Sequence, residues 1–289
     1  SLSPLDGVVI ASPHFAHYEN AKASLEKGCH VLIEKPMTTN SLDAEKLYNL
    51  AKEVKKEILV PNGFNFTQFM PKAEKYIQDG VIGQIKHIDA AFTSSLLDLF
   101  QGIPLSESND HTFQPLASTW SDPNKGGGYG WGQLSHMFGG VFKITQLTAE
   151  KAFCFSVPSP TNVDYTDAIS VKFSNGATGS FSGCAYVPKN FGGTFYINVH
   201  GTKGTLYLDI EIKRERLLIR LNDGNNIEDE IGEGEGAMFY STETPINTFV
   251  DICLNKNYHN HANSEIGLKT VKVLDAIYRS MKTESVEKV

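Results

Sequence analysis

Asp6-Gly7-Val8-Val9-Ile10-Ala11-Ser12-Pro13-His14-Phe15-Ala16-His17 and, one helix further on, Cys29-His30-Val31-Leu32-Ile33-Glu34-Lys35-Pro36 decide the fold of this chain. Val8 to Ala11 is a continuous apolar run rich in β-branched residues, the pattern of a strand covered on both faces in a parallel sheet. Ser12-Pro13 ends it. The stretch from Ala16 to Lys27 spaces Ala21 and Leu25 one turn apart and is followed by Gly28 in the place of a helix C-cap. Val31-Leu32-Ile33 then resumes as a strand, with a lysine at its end. Two such strands joined by one helix form a βαβ unit, and open parallel sheets bind ligands at their strand C-termini.

Outward from this unit, Asn40 with Asp43 three residues later predicts a helix carrying Leu47, Leu50, Ala51 and Val54 on one face, followed by a short strand at Ile58-Leu59-Val60. Pro71 is expected to open another helix running through Ile77 to Gly80. Longer β-like runs follow at Ile85 to Phe92, Phe153 to Val157, Ala168 to Phe173, Thr178 to Tyr186, Phe195 to His200, Thr205 to Leu208 and Arg216 to Leu221. Ser174-Asn175-Gly176 and Asn222-Asp223-Gly224 supply turn chemistry between them. A final helix carries Ile266, Val273, Leu274, Ile277 and Met281 on one face. The expected architecture is α/β plus α+β. A Rossmann-like parallel portion at residues 1–64 precedes a domain at 65–289 with a large, mostly antiparallel open sheet, and the final helix is able to pack back on the first domain.

The stretch from Asp6 to Asn40, with its Ser-Pro-x-x-x-His turn and its Glu-Lys-Pro triplet, resembles the glucose-fructose oxidoreductase / inositol dehydrogenase (Gfo/Idh/MocA) family. A weaker likeness continues through Ile82-Gly83-Gln84-Ile85, Gly126-Gly127-Gly128 with His136, and Gly201-Thr202-Lys203-Gly204-Thr205. The resemblance implies an NAD- or NADP-dependent oxidoreductase acting on a hydroxyl or carbonyl of a sugar, cyclitol or related polyol. It further implies that Ser12, Pro13, His14, His17, Glu34, Lys35, Pro36 and Asn65 line the cofactor, and that a homodimer or homotetramer forms. A Gly-x-Gly-x-x-Gly turn after a first strand, with an acidic residue about 20 positions on, is the expected dinucleotide fingerprint. That spacing does not occur. Gly126 to Gly132 and Gly232 to Gly236 are glycine-rich but miss the final glycine. The chain therefore reads as a copy without the first two βαβ steps, and a non-catalytic sugar-binding or assembly subunit is the alternative reading.

Composition bounds the partners. The chain has 289 residues, is 40% hydrophobic and 20% charged, and can bury a sizeable core. A net charge of -7 gives no basic field for nucleic acid, and no apolar run reaches the roughly 18 residues a membrane helix needs. Cys29, Cys154, Cys184 and Cys253 form no Cys-x-x-Cys pair, which suits reduced thiols, and with no signal-peptide pattern at Ser1 the expected location is cytoplasmic.

Hydride transfer from a secondary alcohol needs a group that takes the hydroxyl proton. Lys35 is the first candidate, since desolvation at a strand end disfavours its charged form. The bland alternative is a strand cap or a pair with Glu34. His136 is the second candidate, expected on a helix after the glycine run. The resemblance implies an Asp-x-x-x-His pair there, yet Gly132 stands in the place of the aspartate. Tyr129, Trp131 and Gln133 are candidate substrate contacts, because rings stack on sugars and amides bond hydroxyls. Packing at a helix start explains them as well. His14 and His17 have ligand-like spacing without a third ligand nearby, so no metal site is expected. Asn62, Asn65 and Gln68 follow the Val60 strand where the resemblance implies cofactor- or substrate-facing residues. His259 and His261 read as a solvated loop, Asp164 and Asp167 as a turn before a strand. No Gly-x-Ser-x-Gly or phosphate loop is present.

Overall fold

The structure, a computed structural model, describes residues 5–105, 116–189, 193–210, 215–229 and 241–289. The expected βαβ unit is there. Strands β1 (Gly7–Ile10), β2 (His30–Ile33) and β3 (Ile58–Leu59) form a parallel sheet in the order β1-β2-β3, with Val8 opposite Val31 and Val31 opposite Ile58. Helix α1 (His17–Glu26) connects the first two strands and α2 (Ser41–Glu53) the next two. Gly28 ends α1 with φ +77°, a conformation that costs a residue without Cβ little. Asn40 caps α2 by accepting a hydrogen bond from the Asp43 N–H at 2.8 Å. All four β2 residues are buried, as a continuous apolar run requires of a central strand.

Helix α3 (Phe69–Gln78) starts two residues before Pro71, which therefore sits in the first turn, where no intrahelical N–H bond is needed. The second sheet has nine strands: β4 (Ile85–Thr93), β5 (Ala149–Pro158), β6 (Asp164–Phe173), β7 (Thr178–Cys184), β8 (Phe195–Gly201), β9 (Gly204–Asp209), β10 (Arg216–Leu221), β11 (Asn226–Asp229) and β12 (Glu287–Lys288). Their order is β11-β10-β9-β8-β4-β7-β6-β5-β12, and only β4 and β7 run parallel. The two turns expected around Gly176 and Gly224 join β6 to β7 and β10 to β11, both glycines with positive φ. The short β11 and β12 have no apolar alternation and were not expected. The glycine-rich Gly232 to Gly236 lies outside the described residues.

The remaining helices are the short α4 (Leu97–Phe100) and α5 (Ala117–Trp120), then α6 (Ser135–Thr145), α7 (Glu243–Cys253) and α8 (Ser264–Thr283). Helix α6 is buried along its whole length against α3 and α8. Its Phe138 ring lies 5.0 Å from Phe181 of the large sheet. Helix α8 packs on β5, α2 and α6 together, so one helix ties the small sheet to the large one. Among the described residues no helix is long and apolar enough to cross a membrane.

Candidate active site

The C-terminal ends of β1 and β2 lie side by side, which brings the Ser12–His17 turn against Glu34-Lys35-Pro36. His17 fastens the two. Its Nδ1 lies 2.8 Å from the Pro36 carbonyl and its Nε2 2.8 Å from the Ser12 carbonyl. Burial lowers its pKa, yet a neutral ring can donate to only one of those oxygens, so the second bond forms only with the imidazolium. His14 donates from Nδ1 to the Gly126 carbonyl at 2.8 Å, and burial lowers its pKa to about 4. Both histidines therefore pin backbone segments. Pro13 caps the turn, its carbonyl accepting the Ala16 N–H, and Asn20 donates to Ser12 Oγ.

Lys35 reaches across from β2 to the segment before α6. Its Nζ donates to the Gly132 carbonyl at 2.6 Å and stands 5.0 Å from the centre of the Trp120 ring. Burial lowers its pKa to about 8, opposed in part by the charge of Glu34. At that value a sizeable fraction of the amine is neutral near physiological pH, the form that can accept a proton. Trp120 was not singled out from the sequence. Its ring also packs edge-on against His14 at 5.4 Å, and a Cβ placed at Gly132 would overlap it. A tryptophan ring thus fills the space that a side chain at 132 would need. The only sequence signal for it was the glycine itself, where the resemblance implies a carboxylate.

The five residues Gly130–Leu134 form a π-helical turn leading into α6, a local widening that recurs at functional sites. The turn is held from behind. Asp164 accepts the Gly130 N–H at 2.6 Å and the Tyr278 hydroxyl at 2.7 Å, while Tyr278 accepts the Trp131 N–H at 3.1 Å. The Trp131 and Tyr278 rings stack 5.0 Å apart at 5°. Gly128, at φ +110°, has no room for a Cβ beside the Asp164 carboxylate. The turn expectation for Asp164 and Asp167 is therefore corrected: both lie in β6 and are buried. Burial raises both carboxyls, and the Asp164 charge raises Asp167 further.

His136, on the first turn of α6, is 6% exposed. Asn62 fixes its tautomer. The Asn62 amide nitrogen donates to the His136 carbonyl at 3.0 Å, so the Asn62 oxygen is the atom that faces Nδ1 at 3.3 Å. Nδ1 is the donor and Nε2 carries the lone pair. Burial, with the nearby Lys35 charge, pushes the pKa well below the usual value, keeping the ring neutral. Phe64 and Phe92 pack edge-on against it at 5.7 and 6.1 Å. Phe64 was also missed from the sequence, where it is one apolar residue among many.

The other expected contacts fall differently. Tyr129 is fully enclosed and its hydroxyl bonds the Phe92 carbonyl and Ser94, so it belongs to the core. Trp131 is 6% exposed and faces Tyr278, while Gln133 is half-buried. The Asn65 amide nitrogen bonds the carbonyls of Gly139 and His261, joining α6 to the loop before α8. His261 departs from the solvated-loop expectation, since it is half-buried, whereas His259 is exposed. A cavity of about 20 Å³ adjoins Lys35, Asn62, Ser135 and Thr270, room for little more than one water. The larger crevice, about 400 Å³, has Trp131, Tyr278 and Arg279 in its walls but neither Lys35 nor His136.

Residues 2–61 match the family model described as the oxidoreductase family's NAD-binding Rossmann fold, and residues 74–289 match the model for its C-terminal alpha/beta domain. The chain is 32% identical over 111 residues to the uncharacterized oxidoreductase YfiI of Bacillus subtilis, a match covering 38% of this chain and 28% of that protein. It is 26% identical over 280 residues to scyllo-inositol 2-dehydrogenase (NADP(+)) IolU of the same organism, covering 96% of this chain and 78% of IolU. The chain thus spans less than a third of YfiI and about four-fifths of IolU. Among solved structures, an inositol dehydrogenase homolog from Azotobacter vinelandii complexed with NAD+ superposes with a TM-score of 0.76 at 17% identity, covering 98% of this chain and 78% of that one. Aldose-aldose oxidoreductase from Caulobacter crescentus, complexed with glycerol, gives 0.72 at 16% identity, covering 98% and 79%. At such identities the superpositions speak for the fold alone. With family models covering both sheets, and the Glu34-Lys35-Pro36 strand end in the first of them, the chain belongs to the Gfo/Idh/MocA oxidoreductase family.

Proposed function

We propose that this chain carries the proton-transfer and substrate-holding part of an NAD(P)-dependent oxidoreductase acting on a hydroxyl or carbonyl of a sugar, cyclitol or related polyol. The observation that carries the reading is Lys35, a buried amine with its pKa lowered to about 8, held by the Gly132 carbonyl close to a neutral His136. The nicotinamide end of a dinucleotide fits the ends of β1 and β2, where Ser12, Pro13 and His14 meet Glu34, Lys35 and Pro36. A bound nicotinamide supplies the hydride acceptor. Lys35 takes the hydroxyl proton as the alcohol is oxidised and returns it in reduction. His136 accepts the substrate hydroxyl at Nε2 and so orients the carbinol carbon. Gly132 and Trp120 hold the amine without adding a second carboxylate, which keeps its pKa low.

The reading includes a boundary between residues 64 and 65 and assembly as a homodimer or homotetramer. Uncovered apolar residues such as Phe155, 71% exposed, and Val157 at the end of the large sheet support assembly. A second reading, a non-catalytic sugar-binding or assembly subunit, is favoured by the Trp120 ring in the space beside Gly132 and by the small cavity at Lys35. Nicotinamide absorbance during turnover of a cyclitol and aldose panel by the full-length protein, with NAD+ and NADP+ in parallel, separates the two. The proposal expects turnover that Lys35→Met lowers by about a hundredfold or more. Absence of turnover with every pair, alongside measurable sugar binding, favours the subunit.

A further inference from the structure

The loop before α8 holds a group of side chains that the proposed chemistry does not use. His259 and His261 stand two apart in the loop between α7 and α8, His261 in a turn. Their ring centroids lie 4.3 Å apart. Glu74 of α3 completes the group, and one ligand atom from each of the three residues lies within 4.8 Å of the others. His261 Nδ1 is buried with no hydrogen-bond partner among the described residues. The backbone beneath is fixed, because the Val60 N–H donates to the Ala262 carbonyl at 2.9 Å and Asn260 Nδ2 to the Ile58 carbonyl at 3.0 Å. A cavity of about 280 Å³, walled by Glu74, His259, Asn260 and Lys269 among others, opens beside the group.

From this geometry we propose that Glu74, His259 and His261 form a binding site for a late first-row divalent cation of the Zn2+ type, separate from the Lys35 site. Two imidazoles and one carboxylate are a donor set suited to such ions, with the fourth position open to water from the cavity. Ligand atoms around a tetrahedral zinc at about 2.0–2.2 Å lie about 3.3 Å apart, so the group, now within 4.8 Å, closes by up to about 1.5 Å, a movement the exposed His259 is able to make.

The charges around the site set its strength. Glu74 Oε2 already pairs with the buried Lys143 ammonium, and among the described residues Oε1 accepts from Gln146 alone, at 3.2 Å. The cation binds Oε1 and displaces that amide. Lys143 stays beside it and Lys269 stands on the rim, paired with Glu265 at 2.9 Å. Affinity is therefore micromolar rather than nanomolar, and an ion at the site ties α3 to the loop that precedes α8.

Titrating the protein as it stands with Co2+ and with Zn2+ tests this. One equivalent of Co2+ is expected to give visible d–d bands without a thiolate charge-transfer band, which distinguishes the site from the four free cysteines. Zn2+ is expected to compete for it and raise the melting temperature. His259→Ala, at an exposed position, leaves the fold intact and weakens binding about tenfold or more. Glu74→Gln weakens it similarly, and Lys143→Met, if folded, tightens it. Affinity unchanged in His259→Ala, a thiolate band, or no binding at millimolar metal overturns the proposal.

Discussion

The three-stranded and nine-stranded sheets bury their residues by different rules. In β2 every side chain is covered, because helices flank the strand and β1 and β3 lie on either side of it. In β6 and β7 buried and exposed residues alternate, because one face meets α6 and α8 and the other does not. The small sheet brings Lys35 to the C-terminal end of its central strand. The large sheet, through α6 and the π-helical turn before it, brings the carbonyl and histidine that the lysine meets. Neither sheet alone makes the site, so a change in either should register at Lys35.

The largest test of that division is Lys35→Met, which keeps the apolar stem and removes the amine. In the proposed enzyme kcat should fall by roughly 10² to 10⁴ with cofactor affinity little changed, and steady-state kinetics beside cofactor titration read both. His136→Asn should lose less, since the histidine orients rather than accepts the proton. Equal losses would mean that the two residues act as one unit contributed by both sheets. Next come the cores. Ile33→Ala in β2 and Ile197→Ala in β8, both fully buried, should each cost about 2–5 kcal/mol in urea unfolding. Two separate transitions in one variant would show that α8 does not couple the sheets.

Gly132→Asp places a side chain where Trp120 lies and should cost about 1–3 kcal/mol through overpacking. Trp120→Ala in the same chain should recover part of that, and additive losses would mean that the two residues do not compete for space. Acid provides a graded effect. His14 has a folded pKa of about 4 against an unfolded 6.5, so as pH falls through that window the unfolded chain takes up the proton first. Stability then declines by about 1.4 kcal/mol per pH unit for this histidine and levels off below pH 4. His14→Asn should flatten that limb of a urea-midpoint profile. The smallest effect belongs to Val9, 62% exposed at the edge of the small sheet, where Val9→Ala should change stability by no more than about 0.5 kcal/mol. A loss like that of Ile33→Ala would show that something covers this edge in solution.

Periodicity and punctuation made much of this legible from the residues alone. The β-branched run at Val8, the Asn40 cap, the glycine after α1 and the alternation in β6 through β9 each act over a few residues, so local chemistry suffices to place them. Lys35 and His136 were legible as candidates because a motif marked each one. Trp120, Phe64, and the roles of Asp164 and Tyr278 were not. They act through partners 12 to more than 100 positions away, as Trp120 does at Gly132 and Tyr278 at Asp164.

The sequence by itself determined the two kinds of sheet, the helix ends and the lysine at the close of β2, because hydrophobic period and capping are properties of short segments. Only the tertiary structure decided that the Lys35 amine rests on the Gly132 carbonyl, that a tryptophan ring occupies the space beside it, and that Glu74 joins His259 and His261. Desolvation, ring packing and ligand distances depend on which segments meet in space, and no spacing along the chain encodes that meeting.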